Sequence, residues 1–224
     1  MRKMITVKIN GEERQYPQGA TYEDVANDYQ QEYENLIALA ARDGKIRELF
    51  KKLTRDCEVT FFTLKDDVGN KTYVRSATML FLKAVFDVYG REAAQSCRVE
   101  FAIGNGSYIS PKGKINATEE NAAKIRNRMR ELVEAKTPFL KRSYSLDNAM
   151  ELFRKEGMKD KEKLFRYRRG SFVNIYEMDG YYDYYYGYML PNAGYVKWFD
   201  VIAYEDGFML LLPDKKDPPH VKPF

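Results

Sequence analysis

Proton transfer near neutral pH and metal ligation both fall most readily to histidine, and this chain carries one, His220, close to its end. A folded body without an imidazole has few catalytic routes left. Cys57 and Cys97 stand far apart with no Cys-x-x-Cys pair, so neither a disulfide framework nor a thiolate zinc site is indicated, and two buried, reduced thiols are expected. There is no Gly-x-x-x-x-Gly-Lys-Ser/Thr loop, no His-Glu-x-x-His and no Gly-x-Ser-x-Gly. Two carboxylates can meet in space from anywhere, but no local pattern nominates a pair. The residues therefore nominate no catalytic side chain and no metal ligand, and an enzyme here would need unusual parts.

The remaining chemistry is cationic and aromatic. Residues 112 to 169 hold 17 Lys/Arg against 9 Asp/Glu, whereas residues 170 to 224 hold 4 against 8, so a basic middle is followed by an acidic, tyrosine-rich end. Lys124 and Arg128 share one helical ridge, and Arg126 and Arg130 the next. Such a face either contacts a polyanion or is simply solvated. Phe165-Arg166-Tyr167-Arg168-Arg169 combines three arginines with two aromatics, the ingredients for phosphate contact beside base stacking. It reads equally well as a strand with one basic face protecting a sheet edge. Tyr181 to Tyr188 holds six tyrosines in eight residues, which suits an aromatic cluster with wet phenol ends or a cleft wall that stacks a base or sugar.

The elements that must position these residues are legible in outline. Residues 4 to 9 alternate apolar and polar, Asn10-Gly11 is a hairpin turn signal, and Arg14-Gln15-Tyr16 resumes the strand. Thr21 then caps a helix with Asp24 as its acidic capping-box partner and Val25, Ala26 and Tyr29 on the buried side. Short apolar segments at 36–39, 46–49 and 59–64 complete a small sheet packed on one helix. Asp66 to Asn70 is turn-like. A largely buried helix is expected from Val74 to Tyr89, a hairpin around Gly104-Asn105-Gly106, and a second long helix from Thr118 to Ala135 with Ala122, Ile125, Met129, Leu132 and Val133 along one face. A strand near 139–144 and a helix near 146–155 follow, then two strands at 194–204 and 207–212. Pro213 to Pro223 reads as a linker.

At 224 residues and 44% hydrophobic the chain has ample material for one large domain or two small ones. No stretch approaches the roughly 20 apolar residues of a membrane span, and the charged start lacks a secretory signal. A cytoplasmic protein with no membrane partner is expected.

Residues 4 to 64, with Ile5-Thr-Val-Lys-Ile-Asn-Gly11, Pro17-Gln-Gly-Ala-Thr-Tyr-Glu-Asp-Val-Ala26 and Asp56-Cys-Glu-Val59, resemble a TGS domain, a β-grasp fold that begins threonyl-tRNA synthetases. Residues 72 to about 213 resemble the second additional domain that follows it there, which clears mischarged serine from tRNA. The resemblance implies an α+β fold: a TGS β-grasp domain at 1–65, then an α+β domain at 66–213 with an antiparallel sheet around a buried helix, then a linker at 214–224. In that family the buried helix carries His-Ser-x-x-His and a late strand Asp-Leu-Cys-x-Gly-Pro-His. Here the first stands as Arg75-Ser76-Ala77-Thr78-Met79 and the second as Asp183-Tyr184-Tyr185-Tyr186-Gly187-Tyr188-Met189. The histidine and cysteine positions are thus Arg75, Met79, Tyr185 and Met189, leaving a degenerate editing cleft of Arg75, Ser76, Thr78, Met79, Asp183, Tyr185 and Met189. Tyrosine and methionine substitute poorly for imidazole and thiolate.

A closer resemblance is to a bacterial family in which these two domains precede a uridine-kinase-like P-loop domain. It is carried by Arg166-Tyr-Arg-Arg169, Val173-Asn-Ile-Tyr176, Asp183 to Met189, Gly194-Tyr-Val-Lys-Trp-Phe-Asp200 and Asp206 to Pro213. It implies a piece of a nucleoside kinase whose ATP and magnesium belong only to a further domain, with no cofactor bound by these residues. The expected role is a non-catalytic binding or regulatory region for tRNA, RNA or a nucleotide, docking its own kinase domain. Lys124, Arg126, Arg128, Arg166, Arg168 and Arg169 would meet phosphates, and Tyr184, Tyr185, Tyr186 and Tyr188 a base or sugar. The alternative is a remodelled aminoacyl-tRNA editing hydrolase. A third reading is that the tyrosine-rich surface assembles a homo-oligomer.

Overall fold

The computed structural model describes residues 3–168 and 170–224. Strands β1 (Met4–Ile9) and β2 (Glu12–Pro17) form the expected hairpin, turning at Asn10 and Gly11, both at positive φ. Helix α1 (Tyr22–Tyr29) starts in a complete capping box: the Thr21 hydroxyl accepts from the Asp24 N–H, and the Asp24 carboxylate accepts from the Thr21 N–H. Strands β3 (Ile37–Arg42), β4 (Lys45–Glu48) and β5 (Cys57–Thr63) complete a sheet ordered β2-β1-β5-β3-β4, in which β1 and β5 run parallel and the other pairs antiparallel. Ile5, Val7, Ile9, Val25, Tyr29, Leu49 and Val59 form the core between sheet and helix.

Helix α2 (Asp67–Tyr89) begins seven residues earlier than the apolar run predicts. The polar stretch at Asp66 to Asn70 is its N-cap and first turn, where Asp67 suits the positive end of the helix dipole. The fold demands glycine at 69: a Cβ there would lie 2.0 Å from the Thr63 carbonyl oxygen. Helices α3 (Arg91–Ser96) and α4 (Glu119–Glu134) follow, with the hairpin β6 (Arg98–Ile103) and β7 (Gly106–Ser110) between them. Thr118 caps α4 by accepting from the Asn121 N–H, and α4 lies against α2. Strand β8 (Leu140–Ser145) and helix α5 (Leu146–Lys155) stand within a residue of expectation.

Phe165 to Arg168 is not a strand. Phe165 and Arg166 end a further helix, α6 (Lys159–Arg166), whose Lys/Glu/Leu-rich run favours a helix and whose Phe165 ring packs 5.1 Å from Phe153 of α5. Strand β9 (Phe172–Met178) pairs with β8 and with β10 (Tyr181–Asp183) in an antiparallel sheet, order β10-β9-β8. The tyrosine run leaves the strand after Asp183. The region expected as a strand from 194 opens with a short 3₁₀ turn capped by Asn192, so β11 (Asp200–Tyr204) is shorter; it joins β12 (Gly207–Leu211) in the sheet β11-β12-β7-β6. The sheet's inner face and α4 enclose α2, whose Ala77, Met79, Leu80, Phe81, Ala84 and Val85 lie in the main core. The chain is thus a mixed α+β protein, with three sheets among the described residues. Its tail from Pro213 has no helix or strand, and Val221 and Phe224 rest on the outer face beside Tyr204. No helix of the described residues is long and apolar enough to cross a membrane.

Candidate functional site

The α2 positions singled out in the sequence sit in a closed knot where α2 meets the chain after β10. The Ser76 hydroxyl donates to the Thr72 carbonyl (2.9 Å), accepts from the Leu190 N–H (2.9 Å) and lies 3.9 Å from the Met189 sulfur. Arg75 donates from Nε to the Tyr188 carbonyl (3.0 Å) and from Nη2 to the Thr72 hydroxyl (3.2 Å). Its guanidinium lies against Gly187, at φ +134°, where a Cβ would come within 2.6 Å of Cζ, so any larger residue would displace the arginine. Burial pulls the Arg75 pKa down from its ordinary value. Met79 and Met189 are fully buried. The Tyr185 hydroxyl is buried without a partner, and burial drives its pKa well up. The Thr78 hydroxyl is spent on the Val74 carbonyl (2.9 Å).

A residue that sequence reasoning did not nominate completes the knot. Glu48, 2% exposed on β4, reaches out of the first sheet. Its carboxylate accepts from the Tyr176 hydroxyl (2.5 Å), Lys141 Nζ (2.9 Å) and the Met189 N–H (3.3 Å). Burial and this carboxylate raise the Tyr176 phenol far above its usual range. Arg75, Ser76 and Glu48 are therefore all engaged by protein partners.

Asp183 faces a different, open space. It is 5% exposed and accepts from Lys161 Nζ on α6, from the Tyr184 N–H (2.5 Å) and from the Tyr181 hydroxyl (3.2 Å). Beside it lies a cleft of about 350 Å³ whose walls include Leu82, Cys97, Arg98, Lys114 and Lys161. Arg98 is paired with Asp160 (2.5 Å) and Lys114 with Glu92 at the rim. Burial, with a smaller push from Arg98, lowers the Lys161 ammonium to about 8, while the Asp160 carboxylate pulls the other way. Burial pushes the Cys97 thiol up to about 12; Cys57 is half-buried rather than buried. A lysine that changes charge near neutral pH beside a buried carboxylate can take and return a proton. Among the described residues no three His, Cys, Asp or Glu side chains converge on a metal-sized site.

The basic candidates divide. On α4, Lys124 pairs with Glu120 (2.7 Å), Arg126 with Asp200 (3.0 Å) and the Val201 carbonyl (2.9 Å), and Arg128 with Asp87 (2.8 Å) and Glu131 (2.7 Å). On α6, Arg166 pairs with Glu162 (3.1 Å). Arg168 donates to the Tyr184 hydroxyl (2.6 Å) and lies over the Phe165 and Tyr184 rings. Arg169 lies outside the described residues. Tyr186 is 87% exposed, and Tyr188 is half-buried with its carbonyl held by Arg75. The structure thus joins Arg168 to Tyr184, and binds Lys124, Arg126 and Arg128 to acids of α2, α4 and β11. His220 stands exposed, 2.7 Å from Asp217.

No protein-family model matches the chain. It is similar to the threonine-tRNA ligase of Thermotoga neapolitana, 28% identical over 208 residues that make up 90% of this chain and 31% of that protein. It is similar to that of Thermotoga maritima at 28% over 207 residues, 89% of this chain and 30% of the other. The Porphyromonas gingivalis enzyme is 25% identical over 194 residues, 84% and 29% of the two chains. The chain spans about a third of the length of the curated relatives it matches. Over nearly all of its own length it is threonyl-tRNA-synthetase-like.

Proposed function

We propose that this chain is an editing-type module that receives the aminoacylated 3′ end of a tRNA in the cleft beside Asp183. The likeness to threonine-tRNA ligases along 84 to 90% of the chain supports the substrate class. The mixed sheet carrying α1 supports a TGS-like β-grasp unit at 1–65, and α2 enclosed by antiparallel strands supports an editing-domain-like unit at 66–213. The observation that carries the reading is the open cleft in which half-buried Lys161 pairs with buried Asp183, in a chain whose former histidine and cysteine positions are filled. In the step this pair supports, a water oxygen bonds to the ester carbonyl carbon while neutral Lys161 takes its proton. The carbon–oxygen bond to the ribose then breaks, and Lys161 returns the proton to the ribose oxygen. Asp183 holds the amine in place.

Incubating the chain with seryl-tRNA and following ester loss tests this. Turnover above the spontaneous rate is expected to rise as pH passes through about 8, where Lys161 loses its proton, and to fall roughly 100-fold or more in Lys161→Met, the usual worth of a general base. Asp183→Asn should also slow it. No turnover at any pH refutes the hydrolytic step.

The plugged knot at Arg75 and Met189 favours a second reading, in which the module binds without hydrolysing, as the non-catalytic N-terminal region of a nucleoside (uridine) kinase-like protein. Binding of tRNA or a uridine nucleotide without ester loss selects it.

A further inference from the structure

A second cavity system, remote from the knot in chemistry, runs between the first sheet and the rest of the molecule. One part, of about 690 Å³, is lined by the Phe50-Lys51-Lys52 turn on one side and by residues 136 to 142 on the other. The other part, of about 290 Å³, lies between α1 and the 192–197 segment. They share Glu23, Lys136 and Asn192, so they form one continuous groove.

Its charge is unbalanced. Lys51, Lys52, Lys136 and Lys197 are all exposed, and none has a carboxylate within 4.0 Å among the described residues. Lys124, Arg126 and Arg128 of α4, with Arg154 and Arg166 on α5 and α6, are by contrast tied to acids. The groove's one acid at its centre, Glu23, accepts from the Asn192 side chain (3.3 Å) and is bonded by Tyr195. Lys141 and Arg142 at its wall are already paired with Glu48 and Glu177. Four uncompensated cations along an open channel set up a field that attracts a chain of phosphates.

Lys136 supplies an independent sign. It occupies the position just after α4 at φ +49°, where its N–H bonds the Val133 carbonyl and the next N–H the Leu132 carbonyl. That left-handed position ordinarily goes to glycine. Here a lysine holds it, and its stem lies against Gly194, where a Cβ would come within 2.9 Å of the lysine Cγ. Lys136 thus stands at the wall shared by both parts of the groove, with its stem packed on Gly194. Lys51 lies over the Phe50 ring, 5.2 Å from its centroid, which leaves an aromatic face beside the phosphate path.

We infer that this groove is a track for the phosphodiester backbone of an RNA, held by Lys51, Lys52, Lys136 and Lys197. The choice of RNA over another polyanion rests on the tRNA reading above. The test compares the full chain with the variant Lys51→Ala/Lys52→Ala/Lys136→Gly/Lys197→Ala, in which Lys136→Gly suits its backbone and guards the fold. A control carries Lys8→Ala and Lys45→Ala, exposed lysines that do not line the groove. Anisotropy of a labelled RNA duplex is titrated at two salt concentrations, with inorganic tripolyphosphate as competitor. Expected are RNA binding by the full chain, a weakening of about tenfold or more in the groove variant, and a salt slope shallower by roughly 0.7 to 0.9 for each phosphate that a lysine no longer neutralises. The control should bind as the full chain does. Unchanged RNA binding in the groove variant, or no RNA binding by the full chain, overturns the inference, as does displacement of RNA by micromolar tripolyphosphate. The two proposals fail separately: a wrong groove leaves binding and ester turnover both untouched in the lysine variant, whereas a wrong cleft leaves RNA binding lysine-dependent with no ester turnover in any variant.

Discussion

Cys97 and Lys161 line one cleft, and burial acts on both against the charged form: it keeps the thiol protonated and loosens the ammonium's proton. With the Cys97 pKa near 12, about one molecule in 10⁴ carries its thiolate at pH 8. Iodoacetamide at that pH should therefore label half-buried Cys57 first and leave Cys97 unmodified in the folded chain, as peptide mass spectrometry would report. Fast labelling of Cys97 would mean that the cleft is far wetter than its side chains indicate. At this scale the sequence announces what is lacking: one histidine and two isolated cysteines are countable. What replaces them is not countable. Glu48 meets Tyr176 across 128 residues of chain, and Lys161 of α6 meets Asp183 of β10, so neither pair leaves a spacing to read.

Element by element, legibility follows the range of the interaction that decides the structure. The Thr21–Asp24 capping box and the Asn10-Gly11 turn are settled within four residues, and both stand as read. The start of α2 is not, because Gly69 is required by the Thr63 carbonyl packed against it rather than by its neighbours in the helix. Phe165 and Arg166 are ambiguous in sequence for a similar reason: what favours the helix there is the packing of Phe165 on Phe153. Gly69 also makes a prediction with an unusual sign. Replacing a helix-interior glycine by alanine ordinarily gains about 1 kcal/mol, whereas a Cβ 2.0 Å from a carbonyl oxygen forces backbone apart. Gly69→Ala should lose about 2 kcal/mol or more in urea unfolding; a gain in stability would show that α2 can slide away from β5.

Taken whole, the molecule couples its first sheet to the rest through apolar packing of Ala38 and Leu64 in the α2 core and through one buried carboxylate. Glu48 leaves β4 to bind Lys141 of β8 and Tyr176 of β9 and to cap the Met189 N–H; the Glu23–Asn192 bond is a second link, at the edge of the groove. Removing one member of a buried ion pair is worse than removing both, because the survivor keeps its desolvation cost without its partner. Glu48→Ala should thus cost about 3 to 5 kcal/mol, and Glu48→Leu combined with Lys141→Met should recover most of that loss. Trp198, the one tryptophan, has its N–H and carbonyl both bonded by the Tyr73 hydroxyl on α2, so its fluorescence reports the part of the chain beyond the first sheet, while far-UV circular dichroism reports the whole. In the unaltered chain the two signals should lose structure at the same urea concentration, since Glu48 ties the first sheet to β8, β9 and the Met189–Leu190 segment that Ser76 of α2 holds. In Glu48→Ala they should separate, because the sheet keeps its own core of Ile5, Val7 and Val25 but loses its anchor. Coincident transitions in Glu48→Ala would mean that apolar packing between the two parts, and not the buried carboxylate, makes them fold as one.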